Sequence, residues 1–186
     1  HSVVTAWAIH MPQAHIMKPT NIGTRGSTLR ASRPAIGPAR NMDRPETTML
    51  DITRMLTDKK FRKETLGYCT DTVVLQFPWY WYSVPGLLKE WLDQVLTYGF
   101  AYGSSGLALH GKTLQVVTTT GGPDASYRPG GLNRFTMTDL MRPLDATAHL
   151  CGMSLAEPFV VHGVRVLDDD ALASCGAHYR ALLGGE

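Results

Sequence analysis

Residues 72–88 read TVVLQFPWYWYSVPGLL, an apolar run that passes into a loop crowded with aromatic residues. The run over 72–77 is short, β-branched and apolar, which predicts a strand covered on both faces of a sheet. Apolar residues then recur at helical spacing over 87–96, so a helix is predicted there, with Pro85 at or near its first position and Ser83 as a cap. The aromatic loop is therefore expected at the carboxyl end of a strand. Ligands bind at such ends in open α/β sheets.

Strands and helices alternate along the rest of the chain. The predicted elements are a buried strand at 112–119, a helix at 136–150 that Pro143 is expected to kink, a strand at 157–162, and a last helix that begins at 168–170 and ends at 184–185. This alternation predicts an α/β fold, a doubly wound parallel sheet with helices on both faces.

The first part of the chain has a weaker pattern. Residues 2–9 are suited to a strand, and an apolar period over 47–63 predicts a weak helix. The stretch 17–47 contains several prolines and glycines and no sustained period, which indicates loop or disorder. We therefore expect a single domain over 1–186, in which 1–71 are atypical and partly irregular.

Composition excludes several classes of protein. A net charge of +2 without a dense basic block does not indicate nucleic-acid binding. No apolar stretch has the length of a membrane span. The three cysteines, Cys69, Cys151 and Cys175, are scattered, so neither a disulfide framework nor a zinc site is indicated. We expect a cytoplasmic protein with no transmembrane segment.

Two strand ends supply the groups that a flat ligand needs. Ring faces for stacking are offered by Trp79, Tyr80, Trp81 and Tyr82. Hydroxyls and closely approachable backbone N–H groups are offered by Thr119, Thr120, Gly121 and Gly122. Flavin and nicotinamide chemistry uses such a slot, with donors along one edge of the ring. The alternative is that the aromatic residues are ordinary core.

Several motifs, in one order, carry a resemblance to a known family. They are Gln76 to Pro85, Gly99-Phe100-Ala101-Tyr102-Gly103, Leu109-His110-Gly111-Lys112, Thr119-Thr120-Gly121-Gly122 with Tyr127, and Cys151-Gly152 ahead of Glu157-Pro158-Phe159. Over 72–183 the chain resembles the flavodoxin-like NAD(P)H:quinone oxidoreductases. Its similarity is to the bacterial branch that includes the ancillary subunit of glutathione-gated potassium efflux systems.

The resemblance implies FMN bound noncovalently, with FAD as the alternative. It places Pro78, Trp79, Tyr80, Trp81 and Tyr82 beside the flavin ring and Thr119, Thr120, Gly121 and Gly122 along the polar edge of that ring. It makes Tyr127 the candidate catalytic residue, near a flavin carbonyl. It also implies a homodimer in which the partner's Tyr102, and with it Tyr98, contacts the active site.

The resemblance further implies a two-electron hydride transfer from NAD(P)H to a quinone or similar small acceptor, with ping-pong kinetics. One alternative is an ancillary regulatory subunit that docks on a membrane potassium efflux protein, peripheral at the inner membrane. The other is a flavin-free, inactive homologue.

Two departures from the family pattern stand out. Residues 128–133 contain no histidine, so the Tyr–His relay of some members is not expected. The family's phosphate-binding loop has only a partial match here. Residues 9–12 are followed by Thr20-Asn21 or Ser27, and the spacing between these two parts is too long. His10 is therefore interpreted as an ordinary strand-end or surface histidine.

The remaining candidates have simpler interpretations. No metal-ligand spacing joins His149, His162 and His178, which are expected to be solvated or core residues, so no metal site is predicted. The acids 168–170 are expected at a helix amino terminus, and Cys151 as a small buried residue.

Overall fold

A single parallel sheet organises the part of the chain that the structure describes. The structure is a computed structural model, and it describes residues 3–6, 48–49, 58–68 and 70–184. The strands are β1 (Val3–Ala6), β2 (Thr48–Met49), β3 (Thr72–Pro78), β4 (Thr113–Thr119), β5 (Ser154–Leu155) and β6 (Phe159–Val161). Their order is β2-β1-β3-β4, and β4 pairs with β5 at its start and with β6 at its end.

Helices connect these strands. They are α1 (Lys59–Arg62), continued by a π-helical segment Lys63–Tyr68, α2 (Gly86–Val95), α3 (Met137–Leu140), α4 (Arg142–Leu150) and α5 (Asp169–Leu182). Short 3₁₀ turns cover Asp124–Ser126 and Val164–Val166. Within the described ranges, no helix has both the length and the apolar character needed to cross a membrane.

The sheet is packed on both faces. Val73, Leu75 and Phe77 of β3 point into the larger core, which also contains Leu88 and Trp91 of α2. Burying each such side chain stabilises the fold by roughly 1.5–3 kcal/mol.

On the opposite face, Val74 and Val117 form a smaller core against Phe159 and Tyr179. The Tyr179 hydroxyl donates to Gln76 Oε1 at 2.8 Å, which ties α5 to β3. Helices on both faces of a parallel sheet confirm the predicted fold class.

The long strands and the last helix are confirmed. The predicted strands at 72–77 and 112–119 correspond to β3 and β4, and the last helix is α5. Asp168 caps α5, since its Oδ1 accepts from the Ala171 N–H at 2.8 Å. The strand predicted at 157–162 is shorter, because only Phe159–Val161 pair with β4.

Two details around the prolines were wrong. The helix predicted over 136–150 is two helices, α3 and α4, and Pro143 lies in the first turn of α4. Proline needs no N–H donor there, so it begins a helix instead of kinking one. Ser83 does not cap α2: Pro85 holds the cap position, and Ser83 pairs with Tyr80.

The predicted helix at 47–63 was also wrong at its start. Thr48–Met49 form β2, because their backbone pairs with β1. Among the described residues, a helix begins at Lys59, where Asp58 Oδ1 accepts from the Phe61 N–H at 3.0 Å. The loop prediction at 17–47 and the rest of the helix prediction, at 50–57, lie outside the described residues.

Candidate functional site

The two predicted halves of the site are neighbours in the sheet. The register of β3 and β4 places Pro78 beside Thr119. One residue further on, the Trp79 N–H donates to the Thr119 carbonyl at 2.9 Å. The aromatic loop and the Thr-Gly-Gly loop (120–122) therefore leave the sheet side by side, at its carboxyl edge.

The aromatic residues form a tight turn. Tyr80 and Ser83 exchange two backbone hydrogen bonds, of 3.2 and 2.9 Å, and between them Trp81 and Tyr82 have φ angles of 49° and 60°. Two positive φ angles in succession define a type I′ turn, which favours Asn and Gly. A residue other than glycine costs roughly 1–2 kcal/mol in this left-handed region. Backbone strain of this kind concentrates at functional sites.

The turn separates the aromatic side chains by exposure. Trp79 is buried in the main core and stacks on Phe77, with ring centroids 6.0 Å apart. Trp81 is 94% exposed and Tyr82 is 48% exposed. Tyr80 and Pro78 are half-buried. Trp79 therefore fits the core alternative, whereas Trp81 and Tyr82 present ring surface to solvent.

The Thr-Gly-Gly loop is held from behind and open in front. Thr120 is buried, and its hydroxyl donates to the Gly122 carbonyl at 2.8 Å. The same carbonyl accepts from the Gly163 N–H at 2.9 Å. The N–H groups of Gly121 and Gly122 donate to none of the other residues that the structure describes. They are available to an acceptor on a ligand.

Tyr127 lies next to this loop, together with a histidine. The rings of Tyr127 and His162 have centroids 5.4 Å apart. His162 Nδ1 is 3.1 Å from Thr120 Oγ1, and its Nε2 is 3.3 Å from Asp124 Oδ1. Four polar side chains thus join into one cluster behind the loop.

His162 is a neighbour of Tyr127 that the sequence did not predict. The Tyr–His relay was not expected, because 128–133 contain no histidine. The neighbour comes instead from the end of β6, whose pairing with β4 sets Val161 opposite Thr119. The sequence did predict strands at β4 and β6. Because parallel strands end at the same edge of a sheet, the residues that follow them lie together at its carboxyl edge.

Burial shifts the proton affinity of both rings. It raises the pKa of the Tyr127 hydroxyl, while a hydrogen bond with Thr120 acts in the opposite direction. It lowers the pKa of His162, and the Asp124 carboxylate partly offsets that effect. Both groups are therefore favoured in their neutral forms near neutral pH.

The stretch 128–133, which contains no histidine, contributes Asn133 to the site. The Tyr82 hydroxyl donates to Asn133 Oδ1 at 3.2 Å. This bond links the aromatic turn to the loop that follows Tyr127. It joins the two sides of the site by a side-chain contact in addition to the sheet.

The remaining candidates are Cys151, Tyr102 and His10. Cys151 is buried, as predicted, and burial raises the pKa of its thiol. Tyr102 is half-buried and packs edge-on against Tyr98, with centroids 5.8 Å apart. Its contact with a partner subunit stays a prediction. His10 and the partial match to a phosphate-binding loop, at 9–12, 20–21 and 27, lie outside the described residues.

Comparison with known proteins assigns the chain to a family. The family model described as "Flavodoxin-like fold" matches residues 69–183, more than half of the chain. The chain belongs to the flavodoxin-like fold family. The resemblance inferred from the motifs is thereby confirmed.

Three relatives indicate the branch of this family. YdeQ of Bacillus subtilis, an uncharacterized NAD(P)H oxidoreductase, is 35% identical over 142 residues, which cover 74% of this chain and 72% of YdeQ. The glutathione-regulated potassium-efflux system ancillary protein KefG of Cronobacter sakazakii is 45% identical over 113 residues, 61% of either chain. General stress protein 14 of B. subtilis is 50% identical over 94 residues, 50% of this chain and 54% of the relative. The chain thus spans less than two thirds of the length of KefG and of general stress protein 14.

Two solved structures share the fold at similar identity. General stress protein 14 of Treponema denticola, solved in complex with FMN, superposes with a TM-score of 0.66 at 34% identity, over 76% of this chain and 82% of that one. An NADPH-quinone reductase from P. pentosaceus superposes with a TM-score of 0.63 at 31% identity, over 74% and 80%.

Proposed function

We propose that the protein is an FMN-dependent NAD(P)H:quinone oxidoreductase. One observation carries the proposal. Two adjacent strand ends present exposed aromatic rings on one side and, on the other, two backbone N–H groups that donate to no other residue among those described. A flat heterocycle with acceptor atoms along one edge fits this pair of surfaces.

The residues present suit the ring end of a flavin. The N–H groups of Gly121 and Gly122 can donate to ring carbonyl or nitrogen acceptors, because glycine leaves the approach open. Trp81 and Tyr82 offer ring surface for stacking. Bound FMN would supply the hydride chemistry, with NAD(P)H as reductant and a quinone as acceptor.

The chain's own groups bind, orient and shield. Because burial raises the pKa of Tyr127, its phenol keeps its proton and acts as a hydrogen-bond donor near neutral pH. Thr120 fixes the shape of the loop through its bond to Gly122. The N–H groups of that loop favour negative charge at the ring edge, and Trp81 shields the ring face from water.

The relatives support the chemistry. YdeQ is named as an NAD(P)H oxidoreductase, and the P. pentosaceus neighbour as an NADPH-quinone reductase. The T. denticola neighbour was solved with FMN. Each of these three shares more than 30% identity with this chain.

Flavin binding and a single turnover test the proposal. FMN is added to the purified protein, and the shift of its visible spectrum gives the affinity. Anaerobic NADH or NADPH should then bleach the bound flavin, and a quinone should restore its colour. Because one slot serves both partners in turn, double-reciprocal plots should be parallel. Absence of FMN binding, or flavin that NAD(P)H does not bleach, would contradict the proposal.

A second candidate function is favoured by the match to KefG. The proposal here is an ancillary subunit that docks on a glutathione-gated potassium efflux protein at the inner membrane. KefG is 45% identical to this chain over 113 residues. Co-purification with such a membrane protein would support docking. If the Trp81→Ala variant loses turnover but still restores efflux control, regulation acts by binding and not by catalysis.

A further inference from the structure

The hydroxyl of Thr120 lies at the centre of the polar cluster behind the Thr-Gly-Gly loop. Its Oγ1 is 2.8 Å from the Gly122 carbonyl oxygen and 3.1 Å from His162 Nδ1. On the far side of the imidazole, Nε2 lies 3.3 Å from Asp124 Oδ1.

Proton counting restricts how these groups can be arranged. A hydroxyl has one proton to donate and two lone pairs, whereas a carbonyl only accepts. Thr120 therefore uses its proton on Gly122, and His162 Nδ1 must carry a proton and donate to Thr120. If the proton of His162 were on Nε2 alone, Nδ1 would be an acceptor, and Thr120 could satisfy only one of its two acceptors.

We propose that His162 is a positioning residue whose Nδ1–H turns the Thr120 hydroxyl towards the Gly122 carbonyl. In this neutral form Nε2 carries no proton and makes no hydrogen bond to the exposed Asp124 carboxylate. The bond from Thr120 to Gly122 closes the loop that presents the N–H groups of Gly121 and Gly122. His162 thereby acts on the ligand through the loop, without touching it. The consequence for flavin affinity rests on the proposed function, but the tautomer of His162 does not.

Burial keeps the imidazole neutral at working pH, and few charged or titratable groups among the described residues face it. Burial lowers the pKa of His162, and the exposed Asp124 only partly offsets this. On neighbouring elements, the guanidinium of Arg165 lies close to Gly121, and Tyr82 acts on Tyr127. A neutral imidazole has two tautomers, so the choice between them is a measurable property.

Side-chain ¹⁵N NMR of the full chain without flavin tests the inference directly. Near pH 7.5, His162 should carry its proton on Nδ1. In Thr120→Val the acceptor is gone, and the proton should move to Nε2, facing Asp124. Thr120→Ser should restore the Nδ1–H form. The exposed Asp145→Asn serves as a control, and it should leave the signals of His162 unchanged. An Nε2–H form in the unmodified protein, or the same tautomer in Thr120→Val, would overturn the proposal.

A matched pair of variants tests the effect on the loop. The amide nitrogen of Asn is as many bonds from Cβ as Nδ1, and that of Gln as many as Nε2. His162→Asn therefore keeps a donor for Thr120, and FMN affinity should stay within about threefold, whereas His162→Gln should bind FMN about tenfold more weakly. The exposed His178→Gln is the control. Equal loss in both variants, or no loss in either, would contradict positioning. If the unmodified protein binds no FMN, the proposed function fails, and the NMR result alone decides the role of His162.

Discussion

At the scale of single residues, the turn at Tyr80 to Ser83 separates two tryptophans that the sequence could not distinguish. Trp79 and Trp81 are two positions apart, yet Trp79 lies in the core and Trp81 is 94% exposed. The divergence arises because the chain reverses at Trp81, in a left-handed conformation that aromatic residues rarely adopt. A strained, exposed tryptophan contributes little to folding, so its value to the protein lies in a contact.

Substitution of Trp81 separates strain from ligand contact. Trp81→Ala should weaken FMN binding by about 1–3 kcal/mol, since it removes an aromatic contact. Trp81→Gly should weaken binding similarly, but it also relieves the φ angle of 49°. The free energy of unfolding of Trp81→Gly should therefore equal that of Trp81→Ala or exceed it by up to about 1 kcal/mol. Chemical denaturation and flavin titration measure the two effects. Unchanged FMN affinity in Trp81→Phe and a loss in Trp81→Ala would assign the contact to the ring.

The pH dependence of stability should report on His162. Its pKa in the folded protein lies below the unfolded value, so its contribution is complete above about pH 6.5. As the pH falls through this region, the unfolded chain binds a proton first and stability is lost. His162→Asn lacks this group, so its free energy of unfolding should fall less between about pH 7 and 5 than that of the unmodified protein. Equal losses of unfolding free energy in the two proteins would show that the pKa of His162 is not lowered by folding.

At the scale of elements, the sequence was most informative where a segment is buried on both sides. β3 and β4 were predicted because buried parallel strands are apolar throughout, and their ends located both halves of the site. β2 and β5 escaped prediction because each has only two residues, too few for any periodicity. Their positions are set by pairing with neighbouring strands, which a linear pattern does not contain.

The boundary between α3 and α4 illustrates how local chemistry sets an element. Thr136 caps α3 by a capping box: its Oγ1 accepts from the Asp139 N–H at 3.0 Å, and the Asp139 carboxylate accepts from the Thr136 N–H at 3.4 Å. The Thr136 hydroxyl and the Arg142 guanidinium lower the pKa of Asp139. The cap therefore depends on an ionised carboxylate and weakens in acid.

Removing this cap should cost stability. Thr136→Ala should reduce the free energy of unfolding by about 1 kcal/mol, because it leaves an N–H of the first turn without its partner. Thr138→Ala, at an exposed position inside α3, is the matched control and should be neutral or slightly stabilising. Urea denaturation at pH 7 gives both values. Equal effects at the two positions would show that the box adds nothing beyond helix propensity.

At the scale of the whole molecule, the loop after α2 presents aromatic surface on an ordered backbone. Tyr98 is 68% exposed and Leu107 is 59% exposed. The Gly99 N–H donates to the Tyr102 carbonyl at 2.9 Å, and a Cβ at Gly103 would come within 2.4 Å of the Tyr98 ring. The ring is thus fixed over glycine on one side and faces outward on the other. This exposed aromatic surface is the candidate interface of the predicted homodimer, which stays a prediction.

Substitution of Tyr98 tests that interface. Light scattering coupled to gel filtration should give twice the mass of one chain for the unmodified protein and a single mass for Tyr98→Asp, because a buried, unpaired carboxylate opposes association. If the partner's Tyr102 completes the site, turnover should fall with dissociation and recover as protein concentration is raised. Val166→Asp, at another residue that is 85% exposed, should change neither mass nor turnover. A monomeric unmodified protein with full turnover would show that each chain forms its site alone, and Tyr102 would then act only within its own loop.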